Sequence, residues 1–272
     1  MRQFSLIPAM QNLSLNKLLE TAIFAAKKAG AHALKNEHRR TETAKTFAHD
    51  VKLVLDAECQ EIAEQAILEI FPNHAILGEE GVTEVDSDYE WVIDPIDGTM
   101  NFTRGFPYWC VSIAVRKNET VLAGCVFNPV SNECFTAHVE SDALCNGKPI
   151  RPSEINKLEE STIFSGVSKY VDQDPDAHFK LFQTLIFNTR KVRINGSAAL
   201  DICHVASGHA DGYFETTLYL WDHAAAGLIA QRAGAIVHAY PLPHEPHACG
   251  VICTNKNLIT PLLSIHSDCF AS

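Results

Sequence analysis

Residues 90–102 read EWVIDPIDGTMNF. An apolar run, Trp91 to Ile93, ends in Asp94, and a second acid, Asp97, follows across Pro95 and Ile96. The run reads as a buried strand over 90–94. Asp94-Pro95-Ile96-Asp97 has the composition of a type I turn, which brings its end Cα atoms within about 7 Å. Two carboxylates so placed converge, and unpaired they repel until one pKa rises. A hard divalent cation, Mg²⁺ or Mn²⁺, removes that penalty by binding oxygen. Gly98 has no Cβ, so an anion can approach the backbone N–H groups of Gly98 and Thr99. A cation site beside an anion site is what metal-assisted phosphate chemistry requires. The spacing differs from that of DxDGT phosphatases, whose first Asp is a covalent nucleophile, because two residues separate the acids here. A strand-ending Asx turn uses the same residues without any ligand, so other segments must decide between the two.

Three stretches bear on that choice. ILGEEG, residues 76–81, is again an apolar strand ending in acids, Glu79 and Glu80. TLYLWDHAAAGLIAQRAGA, residues 217–235, places Asp222 before an alanine-rich helix. KTFAHDVKLVLDAE, residues 45–58, places Asp56 at the start of another helix. Each has a plain local reading, a surface turn for the glutamates and a helix cap for each aspartate. Capping and metal binding are compatible, since one carboxylate oxygen can do each.

The periodicity predicts helices over 14–33, with Ser14 as N-cap, and over 57–70, then 197–208 and 223–234. Residues 110–116 and 121–127 read as strands of an antiparallel hairpin. Strands and helices mix without a strict βαβ rhythm, which favours an α+β fold. The 272 residues suit a single domain, built of two closely packed halves over roughly 1–150 and 151–272. Acids outnumber bases 33 to 22, a formal charge of −11, which argues against direct nucleic-acid binding. No apolar run reaches the roughly 18 residues a membrane span needs, and the N-terminus lacks the apolar core of a secretory signal. Nine scattered cysteines read as reduced, buried cytoplasmic thiols. His244, His247, Cys249 and Cys253 form a loose His/Cys cluster, but its spacing matches no common zinc pattern. His204 and His223 read as packing or polar-contact residues on helices.

GEE, WVIDPIDGTMNF, GSAA at 196–199 and WDHAAAG together resemble the inositol monophosphatase family of Mg²⁺-dependent, lithium-sensitive sugar phosphatases. The resemblance runs from about Lys45 to about Val251. It implies a layered α-β-α-β-α sandwich, a homodimer and two or three Mg²⁺ per site, with Mn²⁺ as a substitute. By that resemblance Glu79, Asp94 and the carbonyl of Ile96 hold a first metal, and Asp94, Asp97 and Asp222 a second. Glu79 also serves a weaker third. Asp56 and Thr99, with Glu79, serve catalysis by positioning and deprotonating the attacking water. Gly98 and Thr99 hold the phosphate, Gly196, Ser197 and Ala198 form a substrate-contacting turn, and Glu215 accepts from sugar hydroxyls. Lys45 and Asp50 match polar positions nearby, and residues 165–179 edge the substrate pocket. One departure stands out: Leu53 occupies a position where the family commonly has threonine, three residues before Asp56. The implied reaction is hydrolysis of a phosphate monoester, first of all inositol monophosphate. A 3′-phosphoadenosine 5′-phosphate, histidinol phosphate or fructose bisphosphate phosphatase on the same scaffold is the alternative, and a non-catalytic Mg²⁺-binding scaffold protein is the reading from a different class.

Overall fold

The computed structural model describes residues 14–46, 51–167, 174–242 and 247–270. The first long helix, α1 (Leu15–Lys35), is followed by a small hairpin of β1 (Thr43–Thr46) and β2 (Val51–Leu53), and then by α2 (Val54–Leu68). Next come β3 (Ala75–Gly78), β4 (Val82–Thr83), β5 (Tyr89–Asp97), the short α3 (Thr99–Arg104), β6 (Cys110–Lys117), β7 (Thr120–Asn128) and β8 (Glu133–His138). Two short strands, β9 (Leu144–Cys145) and β10 (Lys148–Pro149), complete an eight-stranded sheet in the order β10-β9-β8-β7-β6-β5-β3-β4. The second half contains β11 (Thr162–Ser165), α4 (Pro175–Asn188), β12 (Lys191–Ile194), α5 (Ala198–Ala206), β13 (Gly212–Tyr219), α6 (Leu220–Ala233), β14 (Ile236–Pro241), β15 (Ala248–Thr254) and α7 (Ile259–Phe270). Its strands form a five-stranded sheet in the order β12-β11-β13-β15-β14.

Alternation along the strands dictates the layers. On β5, Trp91 and Ile93 join a core with α1 and α2, whereas Val92 points the other way, into a core with α5 and α6. That middle core also takes Tyr213, Val251 and Cys253 from the second sheet. Phe214 and Ile252 turn to the far face, against α4 and α7. The result is the expected five layers, helix–sheet–helix–sheet–helix, with three apolar cores. The middle core draws residues from both halves of the chain.

The hairpin expected at 110–127 is present as β6 and β7, turning at Asn118 with φ +53°. Two readings need correction. The second helix starts at Val54, three residues earlier than its apolar stripe indicates, because Asp56 ties the backbone of Leu53 into the first turn. The DPID stretch is a bulged strand end instead of a type I turn. β5 continues to Asp97, with Asp94 opposite Ser112 and Asp97 opposite Cys110. Three steps on one strand therefore face two on the other. Pro95 sits in the bulge, where a missing N–H breaks no ladder bond. The extra residue also decides which way the acids point. Ile93 and Ile96 both enter the first core, so Asp94 and Asp97 both face the middle layer. A regular strand would have put them on opposite faces.

Candidate active site

The carboxyl ends of β3 and β5, a parallel pair, meet at one corner. Glu79 follows β3 directly, and its N–H donates to Ile93 O at 3.1 Å, which sets it beside Asp94. Lys52 clamps the same turn, donating from Nζ to Glu79 O and Glu80 Oε1, each at 2.9 Å. Asp94 is 2% exposed, and its Oδ1 accepts from the Ile96 N–H at 3.1 Å. Burial holds its carboxyl well above the usual carboxylate range, and the charges of Glu79, Asp97, Asp222 and Asp56 push it further. Acids from four separate stretches of chain thus act on one group.

Three helix starts supply the rest. At α2, Asp56 is the third helical residue, and its Oδ2 accepts from the Leu53 N–H at 2.7 Å. Asp222 repeats the device at α6, accepting from the Tyr219 N–H at 2.7 Å. Both acids therefore sit inside the first turn and not at the N-cap, and each binds its helix through one oxygen. Leu53 has no side-chain oxygen to accept from the first-turn N–H groups, and the Asp56 carboxylate satisfies a different donor, the Leu53 N–H. At α5, Asp97 takes the capping role from outside the helix. Its Oδ2 accepts from Ser197 Oγ at 2.6 Å and the Ala199 N–H at 2.8 Å, and its Oδ1 from the Ala198 N–H at 3.3 Å. Burial raises the Asp97 pKa, and these donors oppose the rise. Each helix N-terminus carries partial positive charge toward its carboxylate.

Gly98 joins β5 to α3 at φ +96°, where a Cβ would lie 3.0 Å from Tyr108 O and 3.1 Å from Gly196 O. Thr99 Oγ1 donates to Ile96 O at 3.0 Å, which leaves the hydroxyl oxygen as an acceptor. Asn101 Nδ2 donates to Tyr108 O at 2.7 Å and Asn195 O at 2.8 Å, fixing the 195–198 turn against α3. Glu79, Asp94, Ile96, Asp97, Gly98, Thr99, Gly196, Ser197, Ala198, Glu215 and Asp222 all line one cleft of about 270 Å³. Ser197 and Ala198 reach it while holding Asp97. Asp56 is buried and, unlike the other predicted site residues, does not line the cleft.

The donor set suits a hard divalent cation. Every candidate ligand is oxygen, and Asp56 Oδ1 is buried with no hydrogen-bond partner. Burial raises Asp56 to about 8, against the Leu53 N–H, which lowers it, and Glu79 and Glu80 add to the rise. Among the described residues no three His, Cys, Asp or Glu side chains form a closed ligand cluster. Among the described residues no zinc grouping forms around Cys249 and Cys253. Cys249 Sγ contacts His223 Nε2 at 3.1 Å, Cys253 is buried, and His244 lies outside the described residues. His204 stacks on Tyr108. Lys45 lies on exposed β1, and Asp50 is outside the described residues. Of residues 165–179, Ser165, Gly166 and Val167 line the cleft, and 168–173 are outside the described residues.

Asp201 is a site residue that motif reading missed. It is buried on α5 and lines the cleft, and its Oδ1 accepts from Tyr108 OH at 2.6 Å and Asn195 Nδ2 at 2.8 Å. Burial raises its pKa to about 7, against those two donors. The sequence signal was an acid within the otherwise apolar run AALDICHVA.

The sequence profile of the Inositol monophosphatase family matches residues 14–268. A Vibrio cholerae protein called Nus factor SuhB is 37% identical over 227 residues, covering 82% of this chain and 85% of its own. An inositol monophosphatase from Mesembryanthemum crystallinum is 34% identical over 233 residues, covering 83% and 86%. The solved inositol monophosphatase of Anabaena superposes with a TM-score of 0.82 at 30% identity, covering 93% of this chain and 96% of that one. With the fold, the order of the motifs and the family profile in agreement, the chain belongs to the inositol monophosphatase family.

Proposed function

We propose that the protein hydrolyses a phosphate monoester with Mg²⁺ as cofactor, and that Glu79, Asp94, Ile96, Asp97 and Asp222 hold the metal. The observation that supports this most is the buried carboxylate cluster around Asp94, which like-charge repulsion would destabilise without a cation. Bound divalent cations supply charge that polarises phosphoryl oxygens and makes water acidic near neutral pH. The chain does the positioning. Asp56, anchored through Oδ2, offers Oδ1 to the proton of the attacking water. Thr99 directs its hydroxyl proton to Ile96 O, so its oxygen orients the same water as an acceptor. The Gly98 and Thr99 N–H groups face the phosphate, and Glu215 faces the alcohol. The attack is in line and direct, with no phosphoenzyme. Inositol monophosphate, the substrate in the family's name, is the reference ester.

The test is phosphate release from a panel of monoesters with Mg²⁺, with and without Li⁺ and chelator. Release that depends on Mg²⁺ and is lost in Asp94→Asn supports the reading, and release indifferent to either refutes it. A second reading draws on the relatives called Nus factor SuhB, in which binding a macromolecular partner is the main role. That reading predicts partner binding by Asp94→Asn at wild-type strength, whereas the hydrolytic reading assigns the residue to turnover. A homodimer in the cytoplasm is the expected state, to be checked by sedimentation.

A further inference from the structure

β13 aims its side chains at the cleft through a strand bulge of its own. Phe214 turns away, toward α4 and α7, whereas Glu215, Thr217 and Leu218 all line the cleft. A regular strand would have sent Leu218 to the far face with Phe214. The slip shows in the ladder to β15, where Glu215 stands opposite Val251 and Leu218 opposite Cys249, three steps against two. On the other side, the ladder to β11 has already ended at Ser165 and Phe214. Neither ladder spans Thr216. Gly250 lies opposite the break and has no side chain to offer. The Tyr240 ring covers it so closely that a Cβ there would overlap Tyr240 Cζ.

Thr216, buried and turned back from the cleft, is held instead from the next layer, by His178 of α4. The histidine ring is buried, edge-on to Phe270 of α7 with centroids 5.4 Å apart. Its Nδ1 lies 2.7 Å from Asp174 O. A carbonyl oxygen only accepts, so Nδ1 carries a proton, and Nε2 of the neutral ring accepts from the Thr216 hydroxyl at 2.8 Å. Asp174 is itself fixed as the N-cap of α4, its Oδ1 accepting from the Ala177 N–H at 3.1 Å. Both ring nitrogens are committed, and the side chain ties a capped helix start to the break in β13. We propose that His178 is a positioning residue: through Thr216 it holds the β13 bulge that turns Glu215 and Thr217 into the cleft, and so sets the acceptor that meets the alcohol of the ester. It touches neither the ester nor the metal ligands. The proposal rests on the hydrolytic reading above and adds to it a residue from outside the cleft.

The experiment measures kcat/KM at one Mg²⁺ concentration for inositol 1-phosphate, rich in hydroxyls, and for 4-nitrophenyl phosphate, whose leaving group offers Glu215 none. The proteins are the wild type, His178→Phe, which keeps a ring against Phe270, Thr216→Val, which keeps the branched shape, and Thr216→Ser, which keeps the hydroxyl. The inositol-to-nitrophenyl ratio should fall by about fivefold or more in His178→Phe and in Thr216→Val, mainly through KM for the inositol ester, because a displaced acceptor loses its orientation. Thr216→Ser should keep the ratio within about twofold of the wild type, and the double variant His178→Phe with Thr216→Val should fall no further than either alone. A Thr216→Val ratio within about twofold of the wild type overturns the proposal even where Tm drops, since a purely structural bond would move Tm and leave the ratio alone. A Thr216→Ser ratio as low as that of Thr216→Val overturns it too. If His178→Phe does not fold, the two Thr216 variants decide. Wild-type release from 4-nitrophenyl phosphate alone overturns this inference and leaves the phosphatase reading standing. Release from neither ester removes both.

Discussion

Asp56 is the least satisfied acid of the site, buried near a pKa of about 8 with Oδ1 unpaired. An unfolded aspartate titrates near 3.9, so between about pH 4 and pH 8 the folded metal-free Asp56 holds more proton than the unfolded one. A raised folded pKa contributes stability that is present below the unfolded value and lost as pH rises through the folded one. Asp94 and Asp97 are shifted in the same direction. Burial lowers the pKa of His74, His204, His223 and His266, which opposes the acids below about pH 6.5, so melting curves of the metal-free protein should show Tm falling from about pH 6.5 to about pH 8, with Mg²⁺ restoring more at pH 8 than at pH 5, because the cation competes with protons. A Tm indifferent to pH without metal would contradict the raised carboxyls. Asp94→Asn should act in two opposite ways. It removes a repelling charge, so the metal-free variant should melt about 2–4 °C higher at pH 8 if the relief is about 1 kcal/mol. It also removes a shared ligand. Outer-shell changes alone typically cost 10–100-fold, so phosphate release should fall by about 100-fold or more.

The elements carry these acids by two recurrent devices, a strand bulge and an acid in the first turn of a helix. Both leave a sequence trace, and only part of it can be read without the fold. The apolar residues Ile93 and Ile96, three apart, already imply that the strand slips one residue past Asp94, yet proline beside aspartate is equally the mark of a turn. Register against β6 decides the matter. VKLVLDAE gives no cap residue, so the start of α2 is hidden until Asp56 is seen binding the Leu53 N–H. The motifs named Glu79, Asp94, Asp97 and Asp222, which all line the cleft, whereas Asp201 reaches it from α5 by packing that no single motif encodes. α6 offers a test at this scale. Gly124 on β7 lets the helix lie close, since a Cβ there would stand 2.9 Å from Ala225 Cα. Gly124→Ala should push α6 outward and carry Asp222 with it. Overpacking of this kind costs about 1–3 kcal/mol of stability. If Mg²⁺ binding loses about 1.4 kcal/mol, half-saturation should rise tenfold with every ligand still present. An unchanged metal dependence would show that α6 does not set the position of Asp222.

Across the whole molecule, the site joins the two halves of the chain. Glu79, Asp94 and Asp97 come from the first sheet, Asp222 from the helix that packs between the sheets, and Ser197 ties Asp97 to α5. A cation bound there binds the folded chain and not the unfolded one, so it should stabilise the entire fold. At Mg²⁺ about 100 times its Kd the gain is about 2.7 kcal/mol, or about 5–10 °C in Tm for a chain of this size, and chelator should reverse it. The direct measurement is a crystal soaked in Mn²⁺ and read by its anomalous scattering. A metal-centred site predicts peaks within about 2.2 Å of Asp94 oxygens, shared with Glu79 on one side and with Asp97 and Asp222 on the other. Peaks found only elsewhere, or none at Asp94 at a Mn²⁺ concentration that supports phosphate release, would contradict it.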